Sequence, residues 1–60
     1  MTAPEDVVVG IEVAKAALDV AVRPSGDVRQ LGNAAEGIAA VVQWLQLVHP
    51  QLIVLEATGG

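Results

Sequence analysis

The sequence predicts an α/β domain in which three strands, one helix and a fourth strand build a mixed sheet. Residues 7–13 and 51–57 are apolar on both faces, so both strands expect cover on both, and the first is expected to be central in the sheet. The stretch between residues 33 and 50 instead has the spacing of an amphipathic helix. In the order strand, strand, strand, helix, strand, the helix is a crossover, so we expect the fourth strand to run parallel to the first.

The first two strands are predicted from an unbroken apolar run followed by an alternating one. Residues 7–13, VVVGIEV, form the first strand, and residues 14–16 are too few for more than a tight connection. Residues 17–23 alternate, which is the period of a strand. One face of this strand carries Leu18, Val20 and Val22. Asp19 shares the other face with alanines, where it would be solvent-facing or paired across the strands, with membership of an acidic cluster as the alternative.

The next segment predicts a reverse turn and a short third strand. Residues 24–27, PSGD, have the chemistry of a turn, because proline fixes φ and glycine accepts a positive φ. Residues 28–32 are more polar than the first two strands. We therefore expect the third strand to lie near an edge of the sheet.

The helix has a start signal, an apolar stripe and a stop signal. Asn33 can serve as the N-cap, with Glu36 three residues later as its capping-box partner. The stripe consists of Ile38, Val41, Val42, Leu45 and Val48. Pro50 ends the helix, and the proline is expected to hold His49 in extended geometry. Trp44, beside the stripe, is expected to pack in the core or at its rim.

The fourth strand and the chain ends complete the predicted layout. Residues 51–57 present apolar side chains to both faces, so this strand expects cover on both. Residues 58–60 are expected to lead into a further helix, and residues 1–6 to form a disordered tail. One helix covers only one face of a sheet. The sequence therefore predicts that residues 7–60 are the first part of a larger α/β domain whose second helical layer is missing.

Composition excludes several classes of protein. The chain has 60 residues and no cysteine, so neither disulfides nor a thiolate metal site can stabilise it. Its only histidine is His49. The net charge is −4, and the three basic residues, Lys15, Arg23 and Arg29, are scattered, which argues against nucleic-acid binding by this stretch alone. No apolar run reaches 18 residues and the start lacks a basic signal-peptide region, so we expect a cytoplasmic chain without a membrane span.

Two glutamates lie near the carboxyl ends of the two apolar strands. Glu12 belongs to the first strand and Glu56 to the fourth. If these strands are parallel neighbours, about 4.8 Å apart, both carboxylates emerge at the edge where open α/β sheets place their sites. Carboxylates without histidine or cysteine favour Mg²⁺ or Mn²⁺, and such ions can assist phosphodiester cleavage. The alternative, which spacing alone favours, is that both are strand-end residues whose head groups reach solvent.

Three segments together resemble a known family. They are VGIEVAKAALDVAV, GNAAEGIAAVVQWL and PQLIVLEATGG, which cover nearly the whole chain from Val7. Their order and spacing are similar to the start of the DEDD transposases of bacterial insertion sequences, whose N-terminal domain has a RuvC-like, ribonuclease H-like fold. In that family the pattern runs Gly-Ile-Asp-Val-x-Lys, Leu-Asp-Val, then Asn and Gly at the start of a helix, and Glu-(Ala/Pro)-Thr-Gly.

The resemblance implies roles for individual residues. It places the family's first catalytic, metal-binding acid at Glu12 and the second at Glu56, with Lys15 and Thr58 at the rim of the site. Lys15 can contact a phosphate or be simply solvated, and Thr58 can cap a following helix. The family's two further aspartates and its serine-bearing C-terminal domain have no counterpart within the 60 residues. We therefore expect this stretch alone to be inactive.

One residue departs from the family pattern. The first acid is normally aspartate, whereas this chain has Glu12. The extra methylene moves the carboxylate outward by about a bond length, and a misplacement near 1 Å can cost around 10²-fold in rate. A complete protein with this residue would therefore have a weakened site.

The resemblance further implies a reaction and partners. These are DNA cleavage and rejoining during transposition, Mg²⁺ or Mn²⁺ as the cofactor, a homo-oligomeric assembly, and DNA together with a guide RNA. Because this stretch is acidic, its nucleic-acid contacts would lie elsewhere in the assembly.

Two other classes remain open. Actin-like ATPases and sugar kinases share the ribonuclease H-like core, but their first turn needs glycines that cradle phosphate, and here that turn reads EVAKAA. A non-enzymatic module is the other alternative, because an uncovered apolar face favours association with a second copy.

Overall fold

The computed structural model describes residues 6–57, which form a small α/β unit with a four-stranded mixed sheet and one helix. The elements are β1 Val8–Val13, β2 Ala17–Arg23, β3 Val28–Gly32, α1 Ala35–Val48 and β4 Leu52–Ala57. In the sheet the order is β3-β2-β1-β4. Residues 1–5 of the predicted tail and the loop at residues 58–60 lie outside the described residues.

Strand directions follow the prediction. β1 pairs antiparallel with β2 on one side and parallel with β4 on the other, so the most apolar strand is central. β2 also pairs antiparallel with β3, which is therefore an edge strand, as its polarity predicts. The tight connection over residues 14–16 and the reverse turn over residues 24–27 are both confirmed, and Gly26 takes the positive φ of 85° that favours glycine.

The hydrophobic core lies on one side of the sheet, between the strands and α1. Val9 and Val20, on the two central strands, are completely buried. The core also contains Ile11, Leu18, Val22 and Val41. Trp44 packs against this core from α1, half-buried, and the guanidinium carbon of Arg29 lies 4.2 Å from its ring centroid. The predicted rim position of the tryptophan is thus confirmed, with a cation–π contact to the edge strand.

The predicted N-cap is wrong. The helix begins one residue later than Asn33 would require, and Ala34 occupies the cap position without a side-chain hydrogen bond. Asn33 instead donates its side-chain Nδ2–H to the backbone oxygen of Ala14, at 2.8 Å. Its backbone N–H donates to the oxygen of Ala16, at 3.1 Å. The asparagine joins the start of the helix to the β1–β2 turn, and this role replaces capping.

A close contact between two glycines fixes where α1 starts. A Cβ atom built on Gly37 would overlap the carbonyl oxygen of Gly32 and lie only 2.9 Å from its carbonyl carbon. Real Cβ atoms do not approach backbone atoms this closely. The first turn of α1 therefore packs directly on the end of β3, and only glycine at position 37 leaves room for it.

The end of α1 also differs from the prediction. His49 is not extended but left-handed, with φ 53° and ψ 61°. In this conformation its N–H still reaches the carbonyl oxygen of Leu45, at 3.0 Å, which gives that helix-end carbonyl a partner. Pro50, as predicted, directly follows the end of the helix.

The helix covers only part of the apolar surface that the sequence provides. α1 lies nearest β3, and Val41 is its one buried residue. Ile38 and Val42, at the margin of the predicted stripe, are each 47% exposed. All six residues of β4 are exposed, including those on the side of the sheet that carries the helix. The cover that β4 was expected to have on both faces is absent within residues 6–57.

Candidate metal centre

Glu12 and Glu56 lie side by side at one edge of the sheet. Each is the penultimate residue of its strand, and the parallel register of β1 and β4 pairs them directly. Paired residues on neighbouring strands point to the same face, and the strands are about 4.8 Å apart. Both side chains are exposed, on the face that α1 does not cover. The sequence prediction that these two carboxylates converge is therefore confirmed in backbone geometry.

Asp19 extends the pair into a row of three acids. It lies opposite Glu12 in the antiparallel register of β1 and β2, so the row runs Asp19, Glu12, Glu56 across three strands. On the next strand Gln30 lies opposite Asp19 and donates its Nε2–H to Oδ1 of the aspartate, at 2.8 Å. Asp19 is half-buried, and this bond holds its side chain toward β3. It is thus paired across the strands, as predicted, and it also lies beside the acidic pair, which was the alternative.

The three basic residues are distributed unevenly around this row. Arg23 lies opposite Val8, at the far end of β1. Arg29 belongs to the edge strand β3, and its guanidinium lies over the Trp44 ring of α1. Lys15 alone lies in the loop at the carboxyl end of β1, three residues beyond Glu12. The local charge at this edge is therefore negative, which favours a cation as the ligand.

The donor set suits a hard, hydrated cation. Mg²⁺ typically retains several waters and takes only one or two carboxylates from a protein. Glu12 and Glu56 meet that requirement as exposed neighbours, with Asp19 one strand away. Within residues 6–57 no three histidine, cysteine or acidic side chains are grouped closely enough to hold a metal ion. Among the described residues, Glu12 and Glu56 thus offer a cation two neighbouring ligands and not a group of three.

The other predicted rim residues fall in different places. Lys15 is exposed at the tip of the β1–β2 turn, whose first residue, Ala14, donates its N–H to the oxygen of Ala17 at 2.9 Å. Thr58 lies outside the described residues. Sequence reasoning did not identify Asn33 as part of this edge, although it binds the turn that carries Lys15. A three-residue hairpin loop without glycine was the available signal that this turn needs outside support.

A row of like charges predicts that removing one of them will stabilise the fold when no divalent cation is present. Like charges directly opposite on neighbouring strands are destabilising, and Glu12 has an acid on each side. We expect Glu12→Gln to raise the free energy of unfolding by roughly 0.2–1 kcal/mol at low salt. Urea denaturation with a chelator present measures this, and added salt should reduce the gain.

The matched control for that prediction is Glu36→Gln. Glu36 lies in the first turn of α1, where a negative charge is favourable, so its neutralisation should slightly destabilise the domain. The two variants lose the same charge and should shift stability in opposite directions. Loss of stability in Glu12→Gln would contradict the repulsion that the row implies.

Comparisons with models of known protein families, with curated proteins and with solved structures find no match to this chain. Across residues 6–57, no helix has the length and apolar character needed to cross a membrane.

Proposed function

We propose that this chain belongs to the RuvC-like domain of a DEDD-type insertion-sequence transposase, in which Glu12 and Glu56 bind Mg²⁺ or Mn²⁺. The observation that carries the proposal is the register that sets Glu12 directly opposite Glu56 on neighbouring parallel strands. Two acids that are 44 positions apart in the sequence meet at the carboxyl edge of the sheet, where sites of open α/β folds lie.

The topology supports the ribonuclease H-like assignment. A meander of three strands precedes a helix, and the helix returns the chain to a fourth strand parallel to the first. This is the arrangement expected for the β-β-β-α-β portion of that fold. The exposure of all of β4, together with exposed Ile38 and Val42, agrees with a domain in which further elements complete the second layer.

The proposed chemistry is cleavage and rejoining of DNA phosphodiesters. A bound divalent cation would activate the attacking water or hydroxyl and stabilise the charge on the leaving oxygen. Glu12 and Glu56 would hold it at the edge of the sheet, and Lys15 would contact a phosphate of the strand. DNA and a guide RNA are proposed partners of a cytoplasmic homo-oligomer. The net charge of −4 means that most nucleic-acid contacts come from other parts of that assembly.

A chimaera tests this function in cells. Residues 7–57 replace the matching segment of an active DEDD transposase, and excision of its element from a plasmid is counted. We expect excision that Glu56→Gln reduces by at least 100-fold and that Glu12→Asp raises, because the shorter side chain restores the family's carboxylate position. Glu36→Gln removes a carboxylate on the helix and should leave excision unchanged. Immunoblots confirm equal amounts of each protein.

Two results would contradict the proposal. One is excision by the Glu56→Gln chimaera at the level of its parent. The other is a stable chimaera that excises nothing even with Glu12→Asp, since aspartate at that position is the family's own residue.

A non-catalytic interaction module is the second candidate, and the exposed apolar surface favours it. Between α1 and β4 lies an open apolar groove of about 390 Å³. Its wall includes Ile53 and Leu55, which are 43% and 66% exposed. Size-exclusion chromatography with light scattering distinguishes the candidates, because a module of this kind gives a defined dimer that Leu55→Lys dissociates. Concentration-dependent aggregation without a defined species would count against it.

A further inference from the structure

The β1–β2 turn is clamped from outside by one residue. The side-chain Nδ2–H of Asn33 donates to the Ala14 oxygen at 2.8 Å, and its backbone N–H donates to the Ala16 oxygen at 3.1 Å. Lys15 is the residue between these two carbonyls. The two bonds therefore hold the peptide unit that precedes the lysine and the one that follows Ala16.

This turn lacks the usual means of holding its own shape. Three-residue hairpin loops typically include a residue with a positive φ, which fits the loop to the twist of the strands. None of the three loop residues, Ala14, Lys15 and Ala16, has a positive φ. A loop of the less favourable kind gains most from external hydrogen bonds, and Asn33 supplies them.

The junction that carries Asn33 is itself rigid. Asn33 directly follows β3, and two residues later α1 begins. The contact between Gly37 and Gly32 holds the first turn of the helix against the end of the strand. Because the asparagine side chain is half-buried and bonded, the clamp connects this packed junction to the carboxyl edge of β1.

We infer that Asn33 is a positioning residue that fixes the Lys15 turn beside the Glu12–Glu56 pair, so that the lysine meets a phosphate of a nucleic-acid strand there. This inference rests on the proposed function, since the phosphate is that of the proposed substrate. Lys15 is the one basic residue at this edge, because Arg23 lies at the opposite end of β1 and Arg29 is held by Trp44. Lys15 is therefore the one cationic side chain that a nucleic-acid phosphate can contact at this edge.

Amide hydrogen exchange on the ¹⁵N-labelled 60-residue chain tests the clamp itself. Asn33→Ala removes the Nδ2 donor, and we expect exchange at the Ala14 and Asn33 amides to rise about tenfold, the effect of losing one typical hydrogen bond. Asn33→Asp keeps the shape and loses only the donor at neutral pH, so it provides the same test if the alanine variant unfolds. Ser25→Ala is the control, because it removes the two hydrogen bonds that the Ser25 hydroxyl makes with Asp27 in the β2–β3 turn, at the opposite end of β2.

A double-mutant cycle tests whether Asn33 acts through Lys15. The probe is a fluorescent twelve-nucleotide oligothymidylate, and its binding to the purified transposase chimaera in the presence of Mn²⁺ is followed by anisotropy. We expect Lys15→Gln and Asn33→Ala each to weaken binding several-fold, and the double variant to bind no more weakly than Lys15→Gln alone. A residue that only stabilises the fold would give additive losses.

The outcomes separate the inference from the proposed function. Unchanged exchange in the Asn33 variants, or additive losses in the cycle, would overturn the inference even if the oligonucleotide binds. Absence of any Mn²⁺-dependent binding by the parent chimaera would contradict the proposed function and with it the role of Lys15. Faster exchange and a non-additive cycle together would establish both the clamp and its purpose.

Discussion

Replacing Gly37 with alanine should lower the free energy of unfolding by about 1–3 kcal/mol, the cost of overpacking a close contact. On an open helix surface the same change would gain about 1 kcal/mol, because alanine is the better helix former. Here the new Cβ would overlap the Gly32 carbonyl oxygen and lie 3.2 Å from the Gly32 nitrogen. These are backbone atoms of a paired strand, so relief requires α1 to shift as a unit. A loss of stability in Gly37→Ala, where an exposed helix position would gain, therefore indicates that α1 packs on the end of β3.

Urea denaturation measures this change, and another glycine supplies the control. A Cβ built on Gly10, on β1, has no atom within 4 Å, and the residue has no positive φ. Gly10→Ala should therefore be neutral or slightly stabilising, since it restricts the unfolded chain. A Gly37→Ala variant as stable as its parent would mean that α1 does not rest on the end of β3.

Loss of either glutamate of the pair should weaken Mn²⁺ binding by at least tenfold. An open site built mainly from two carboxylates has few other protein ligands, so Glu12→Gln and Glu56→Gln each remove about half of its charge. Asp19→Asn should have a smaller effect, because one oxygen of the aspartate already accepts a bond from Gln30. Electron paramagnetic resonance of free Mn²⁺ gives the affinity of each variant directly.

Two carboxylates far from the pair serve as controls for charge alone. Asp27 lies in the β2–β3 turn, hydrogen-bonded by Ser25, and Glu36 lies in the first turn of α1. Asp27→Asn and Glu36→Gln change the net charge as much as the site variants do. If they weaken Mn²⁺ binding to the same extent, the ion is attracted by overall charge and no site exists at the edge of the sheet.

The strand layout was predictable because the apolar period and the turn chemistry agree along most of the chain. Alternation over residues 17–23 gives the buried face of β2, and all three apolar residues on it are buried. The polarity of β3 predicts its edge position, and the crossover rule predicts that β4 runs parallel to β1. The convergence of Glu12 and Glu56 then follows because each lies near the carboxyl end of one of two parallel neighbouring strands, and no side-chain contact is needed to predict it.

The two wrong predictions have different causes. Asn33 is a residue type favoured at N-caps, but its side chain bonds Ala14, 19 positions away, a partner that local propensity cannot reveal. For His49 the cause is local, because the helix-end bond to Leu45 holds it left-handed where the following proline predicts extended geometry. The packing reason for glycine at position 37 was equally invisible, because the Gly32 carbonyl meets it only in the folded state.

Paramagnetic broadening of the ¹⁵N-labelled chain by Mn²⁺ tests the central claim most directly. If the Glu12–Glu56 pair is a divalent-cation site, substoichiometric Mn²⁺ should broaden the amides of these two residues and of Asp19 first. Asp27 and Glu36 should keep sharp signals, and excess Mg²⁺ should restore the broadened ones by competition. Equal broadening at every exposed carboxylate, or none at the carboxyl edge of β1 and β4, would contradict the account.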